Sequence, residues 1–268
     1  MFGGRGPVAR ISGPAQLTST LALQAVKEAS EGQPMRAQFA VVGASTSGDM
    51  ALGEAAYRDD LLGVAVKPDD YLWRQLCHRP TQEVCRALKI EGPRFTLSTA
   101  CTSGAAAIGA ACDLIASGRA PGAIAFGADA LCQITVHGFG SLGVYSPDPC
   151  TPFDKHRRGL NLGEGAGAMM LEPLDAALSR GASPLAIVGG YGNSSDAHHL
   201  STPDPTGAGA RRAIRRALNT FPAEQVTYVS AHGTATQLND AMEAVALASE
   251  LPAAAISGQK GAIGHTLG

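Results

Sequence analysis

Four residues in this chain carry side chains suited to acyl chemistry: Cys101, His232, Lys260 and His265. Cys101 lies in Thr99-Ala-Cys-Thr-Ser-Gly104, where the extended segment Arg94–Leu97 gives way to a run of small apolar residues. That run, Ala105–Cys112, predicts a helix buried on all sides, with Cys101 at its N-terminus. Unpaired amides and the helix dipole favour an anion there, so the arrangement predicts a nucleophile elbow with a raised thiolate population. The competing reading is a small buried cysteine. His232 follows an apolar run in Ala231-His-Gly-Thr-Ala-Thr236, and Lys260 and His265 lie in the glycine-rich stretch to Gly268. One histidine among small residues is commonly structural. Two with a lysine and an elbow cysteine form a set: a thiolate to take an acyl group, imidazoles to donate to an oxyanion, and a cation to hold charge. This set requires neither a metal nor an organic cofactor.

The elements that must position these residues alternate strand and helix, which places the chain in the α/β class. Leu17–Ala29 reads as an amphipathic helix with Leu17, Leu21 and Val26 inward and Lys27 and Glu28 outward. Buried strands are expected at Phe39–Gly43 and Ala123–Gly127, with a tight turn at Ala44–Gly48 and a short helix over Glu83–Lys89. Strand, cysteine helix and strand predict a crossover between parallel strands. Thr151–Gly159 reads as a polar, basic loop, and Gly163–Gly167 leads into a strand at Ala168–Leu171. The second half reads as a strand at Leu185–Val188, a loop over Asn193–Thr206, a helix at Gly209–Leu218 and a strand at Val226–Ser230. A helix at Ala241–Glu250 and a strand at Ala254–Ile256 follow. Met1–Gly13 is rich in Gly and Pro and carries no core pattern.

Composition narrows the function. With 268 residues, 45% hydrophobic, the chain can bury a large core, and 33 glycines with 5% aromatics imply close packing of small residues. A net charge of -2 gives no argument for nucleic acid. The six cysteines have no metal-site spacing and suit a reduced, cytoplasmic protein. Asp113 and Asp129 interrupt the two most apolar stretches, so no membrane span is expected. Asp196, His198 and His199 form a compact group that reads as a structural loop rather than a metal site. Arg211, Arg212, Arg215 and Arg216 line one helix face, either solvated or facing an acidic partner.

The ordered motifs resemble the elongating β-ketoacyl-acyl-carrier-protein synthases of the thiolase superfamily. They are Thr-Ala-Cys-Thr-Ser-Gly at 99–104, Pro-Phe-Asp-Lys-His-Arg-Arg-Gly at 152–159 and Gly-Glu-Gly-Ala-Gly at 163–167. Asp-Ala-His-His-Leu at 196–200, Ala-His-Gly-Thr-Ala-Thr at 231–236 and Lys-Gly-Ala-Ile-Gly-His-Thr-Leu-Gly at 260–268 complete them. The resemblance implies that Cys101 accepts the acyl group, that His232 and His265 promote malonyl decarboxylation and stabilise the enolate, and that Lys260 sits beside them. Phe139 matches a position near the acyl pocket. The implied fold is the layered αβαβα thiolase fold in a single domain over 1–268, with pseudo-duplicated halves at about 17–172 and 185–268. The implied partners are acyl carrier protein bearing acyl and malonyl groups, and a second ketosynthase chain in a homodimer or heterodimer. Asp129–Cys132 and Pro149–Phe153 also resemble ketosynthases of polyene-pigment clusters. Relative to the family pattern the chain looks truncated at both ends, which makes a non-catalytic relative or partner subunit the alternative. A thiol hydrolase using Cys101 and His232 is a third reading.

Overall fold

A computed structural model describes residues 17–33, 35–65, 72, 73 and 75–268. The Gly/Pro-rich stretch up to Gly13 lies outside the described residues. The chain divides into two units. The larger holds the described residues up to His137, Gly163–Ile187 and Thr266–Gly268; the smaller holds Gly138–Leu162 and Val188–His265.

The larger unit begins with α1 (Thr18–Ser30), β1 (Ala40–Ala44), α2 (Met50–Leu61), α3 (Arg79–Leu88), β2 (Arg94–Leu97) and α4 (Ser103–Ala116). It continues with β3 (Ala123–Asp129), α5 (Gln133–Ser141), which runs on past His137, then β4 (Gly165–Leu171) and α6 (Leu174–Ser179). Its four strands lie in the order β2-β1-β3-β4. β1 runs parallel to both β2 and β3, and β4 closes the edge antiparallel to β3. The expected crossover is present, with β1 inserted between the two strands that α4 connects.

Strand alternation splits the core into two layers. Val41, Ile124, Phe126 and Ala128 pack with Ala22 and Val26 of α1 and Val84 and Cys85 of α3. Ala40, Val42, Ala44, Ala123 and Ala125 face Ala107, Ala111 and Leu114 of α4. Alanines on both sides of that second layer let α4 approach the sheet closely. The helix is not buried all round: Ala105 and Asp113 are exposed while Ala107 and Ala111 are fully buried. α1 buries Thr18, Ser19, Ala22 and Val26, with Leu17 and Leu21 only half-buried. Helix α2 was not anticipated. Gly53 and Tyr57 lie within it, and its weak amphipathic pattern leaves Tyr57 and Leu61 exposed.

The smaller unit contains α7 (Ala208–Leu218), β5 (Tyr228–Ala231), α8 (Gln237–Glu250), β6 (Ala255–Gly258) and the single turn α9 (Lys260–Ile263). β5 and β6 pair in parallel. Ala231, Leu247 and Leu251 form its core with Ile214, Leu218 and Val229 around them. The strand expected at Leu185–Val188 is absent. Those residues pair with no strand among the described residues, and Leu185 and Ile187 are exposed, so the apolar run has no ladder to join. The arginine face of α7 is engaged within its own unit: Arg211 and Arg215 both bind Glu250 at 2.8 and 2.7 Å, and Arg212 donates to the Ser195 carbonyl at 2.7 Å.

Candidate active site

The elbow belongs to the larger unit. β2 ends at Leu97, and the chain reverses through Thr99–Cys101 before α4 begins at Ser103. Thr102 is the cap, so Cys101 sits one residue ahead of the cap rather than on the helix itself. Ala100 takes the left-handed conformation, φ 54°, a strained choice for a residue with a Cβ. Hydroxyls hold the turn closed. Ser103 Oγ accepts from the Thr99 amide at 2.8 Å and donates to the Ala100 carbonyl at 2.6 Å. Thr102 Oγ1 donates to the Thr99 carbonyl at 2.8 Å. Of the six thiols, Cys101 is the exposed one; Cys85, Cys132 and Cys150 are buried, and Cys77 and Cys112 are half-buried. Burial pushes the thiols of Cys77, Cys85, Cys112 and Cys132 above their ordinary pKa. Their burial marks them as packing thiols.

The smaller unit brings His232, Lys260 and His265 together. His232 leaves the end of β5, and its ring meets that of His265 edge-on, with centroids 5.4 Å apart and planes at 87°. His265 is 2% exposed. Its amide donates to the Asn161 carbonyl at 2.8 Å, and it bridges to Leu162. The Phe139 ring also lies near His265, with ring centroids 6.2 Å apart and planes at 52°. Lys260 Nζ donates to the His232 carbonyl at 2.6 Å, so its cation serves the backbone that carries the imidazole. Burial, then the Lys260 charge, then His265 lower the His232 pKa to about 3. His232 is therefore a neutral imidazole at physiological pH, able to donate one N–H.

Sequence reasoning missed the residues that build this loop. Glu243 of α8 accepts from the His232 and Gly233 amides at 2.7 and 2.9 Å. One turn earlier on the same helix face, buried Asp240 accepts from the Phe153 amide at 2.7 Å and the Ala235 amide at 3.1 Å. Phe153 and Ala235 both hold positive φ, 64° and 62°, so one carboxylate secures two left-handed residues. Arg157 lies 3.7 Å from Asp240 and donates to the Thr236 carbonyl at 3.2 Å and the Gln237 carbonyl at 2.7 Å. The available signal was an acidic pair at i,i+3 closely following a loop rich in amides that need acceptors.

Asp196 and His199, of the expected loop group with His198, do what a turn requires. Asp196 Oδ2 accepts from the Asp204 amide at 3.0 Å, and His199 Nδ1 accepts from the Ser201 amide at 3.1 Å. Among the described residues, no helix is long and apolar enough to cross a membrane.

The chain is similar to known proteins over most of its length. Residues 83–177 match the family model for the β-ketoacyl synthase N-terminal domain, and residues 185–268 match that for its C-terminal domain. Nodulation protein E of Rhizobium sp. is 38% identical over 210 residues, covering 78% of this chain and 52% of that protein. The 3-oxoacyl-[acyl-carrier-protein] synthase 2 of Synechocystis sp. is 39% identical over 194 residues, covering 68% of this chain and 47% of that one. A ketosynthase (ApeO) solved in complex with its chain length factor (ApeC), from Xenorhabdus doucetiae, superposes with a TM-score of 0.77 at 31% identity. That match covers 96% of this chain and 68% of its own. The chain spans about half the length of the curated relatives it matches. The shared fold is the thiolase-like fold of ketosynthases.

Proposed function

Because the chain belongs to the β-ketoacyl synthase family, we propose that it carries the catalytic groups of a decarboxylating Claisen condensation between an acyl thioester and malonyl-acyl-carrier protein. The observation that supports this most is the pair of imidazoles 5.4 Å apart, with His232 held neutral beside Lys260.

The steps balance without a cofactor. The Cys101 thiolate attacks the acyl-carrier thioester carbonyl, and the carrier thiol leaves with a proton, giving an acyl-enzyme thioester. The malonyl carbon–carbon bond then breaks, releasing CO2 and leaving its electron pair as a thioester enolate. N–H donors on His232 and His265 stabilise the enolate oxygen as charge develops there. Neutral donors suit this task, since a protonated imidazole would transfer its proton and quench the carbanion. The enolate carbon attacks the acyl group on Cys101, forming the new carbon–carbon bond and expelling the Cys101 thiolate. Lys260 acts through the His232 carbonyl, which it fixes, and through its charge, which helps to keep that ring unprotonated. Acyl carrier protein is the proposed donor of both groups. A second ketosynthase-like chain is the proposed subunit partner, as the Xenorhabdus ketosynthase has in its chain length factor.

Intact-mass analysis after incubation with an acyl-carrier thioester tests the reading. The expected result is one acyl adduct on the wild type and none on Cys101→Ala. A folded wild type that takes no adduct, or equal labelling of both proteins, would overturn it. Adding malonyl carrier protein then separates condensation, seen as the elongated product, from hydrolysis, seen as free acid.

A further inference from the structure

Asp129, the last residue of β3, is fully buried, and six donor groups converge on its carboxylate. Oδ1 accepts from Ser45 Oγ at 2.8 Å, the Ser47 amide at 2.8 Å and Ser47 Oγ at 2.6 Å. The Thr46 amide is shared between both oxygens at 3.0 and 3.1 Å. Oδ2 also accepts from Thr46 Oγ1 at 2.9 Å and from the Gly268 amide at 2.8 Å. A buried carboxylate so fully paired is rarely a source of net stability, because desolvation offsets most of the attraction. What it secures is geometry. It fixes the Ser45–Ser47 turn at the C-terminal end of β1 and it fixes Gly268.

Gly268 occupies a slot against the elbow helix. A Cβ built on it would lie 3.0 Å from Asp129 Oδ2, 3.0 Å from Thr46 Cγ2 and 3.3 Å from Ser103 Cβ. A Cβ on Gly127 would meet the Gly268 carbonyl at 3.0 Å. Ser103 is the residue whose hydroxyl closes the turn around Cys101. The path from Asp129 to the nucleophile thus runs through Gly268 to the first turn of α4, all within the larger unit.

Resting on the reading of Cys101 as acyl acceptor, we infer that Asp129 is a positioning residue: its carboxylate sets the Ser45–Ser47 turn and Gly268 against the first turn of α4 and so fixes the Cys101 elbow. An amide of the same shape cannot replace it. Both oxygens face donors, so Asp129→Asn would turn an NH2 toward an N–H or O–H on one side.

The test compares acylation of the 268-residue chain and its Asp129→Asn variant over a range of acyl-carrier thioester, with rates normalised to folded protein. The expected result is a maximal acylation rate lower by roughly 10- to 100-fold, with the half-saturating thioester concentration within about twofold of wild type. A wild-type rate per folded molecule, even with a lower melting temperature, would mean a purely structural role and overturn the inference. If Asp129→Asn does not fold, Thr46→Val and Gly268→Ala carry the test. Each keeps the carboxylate, and each is expected to lower the maximal rate by a smaller factor at unchanged half-saturation; wild-type rates in both would overturn the inference. A wild type that takes no acyl group would instead refute the Cys101 reading, and the inference with it.

Discussion

The elbow and the imidazole pair present reactive side chains by opposite means. Around Cys101 the backbone is held by hydroxyls and by one strained residue, Ala100, on a helix packed alanine to alanine against the sheet. Around His232 it is held by charge: Glu243 and Asp240 take the loop amides and Lys260 takes a carbonyl. The difference follows the chemistry. On the proposed function, the groups that touch the Cys101 turn itself are neutral hydroxyls, and the Asp129 carboxylate stands one contact further back, held by six donors. An imidazole proposed to donate while neutral, as His232 is, benefits from burial and a nearby cation. The carboxylates in their loop are engaged by backbone amides, where they hold shape. On the proposed function, one unit carries the acyl acceptor and the other holds His232 unprotonated.

The largest effect expected from this division is a separation of half-reactions. His232→Ala and His265→Ala should each retain acylation of Cys101 within a few-fold and lose malonyl decarboxylation by about 100-fold or more, as for removal of an oxyanion donor. Cys101→Ala should do the reverse, abolishing acylation while decarboxylation persists. Mass spectrometry of the adduct and release of labelled CO2 measure the two arms separately. Equal loss of both activities in a histidine variant would break the division.

A second consequence concerns stability. Asp240→Ala leaves the Phe153 and Ala235 amides without their acceptor, at two residues already in left-handed conformations, and strips Arg157 of its ion pair. Buried unpartnered donors cost about 1–3 kcal/mol each, so a loss near 3 kcal/mol is expected in chemical denaturation. Thr102→Val at the elbow removes one exposed hydroxyl, with its bonds to the Thr99 carbonyl and Oγ1, and should cost no more than about 1 kcal/mol. A comparable cost at the two sites would show that the charged scaffold is not the stiffer one.

The sequence made the elbow legible because its parts are contiguous: an extended segment, a cysteine and a run of small residues lie within about twenty positions. The paired histidines were legible as types in small-residue loops, and their motifs carried the family. The supports were not. Asp240 and Glu243 were passed over, because their function depends on which amides the tertiary fold turns toward them. Asp129 was legible as a break in an apolar stretch and as part of a motif, not as a support, since its partners at Ser45–Ser47 are more than eighty residues away. The strand expected at Leu185–Val188 failed for the same reason in reverse. Composition can supply β-prone residues, but a strand exists only where a neighbour offers a ladder.

The smallest expected effect isolates what Lys260 contributes to the charge side of the comparison. A His232 pKa lowered to about 3 means that the unfolded chain binds the proton first as pH falls below 6.5. Stability from this residue is therefore complete above pH 6.5 and declines as pH falls from 6.5 toward 3, where the folded state titrates too. The difference in urea midpoint between wild type and His232→Gln should shrink or reverse at pH 4.5, after titrating carboxylates common to both cancel. Burial is the first cause of the lowered pKa and the Lys260 charge the second, so Lys260→Met should raise it only part of the way to 6.5. Lys260→Arg keeps the charge and should leave it near the wild-type value. Imidazole NMR signals followed against pH read this directly. A Lys260→Met midpoint at the wild-type position would remove the cation from the account. A midpoint at 6.5 would mean that the cation, and not burial, holds the ring neutral.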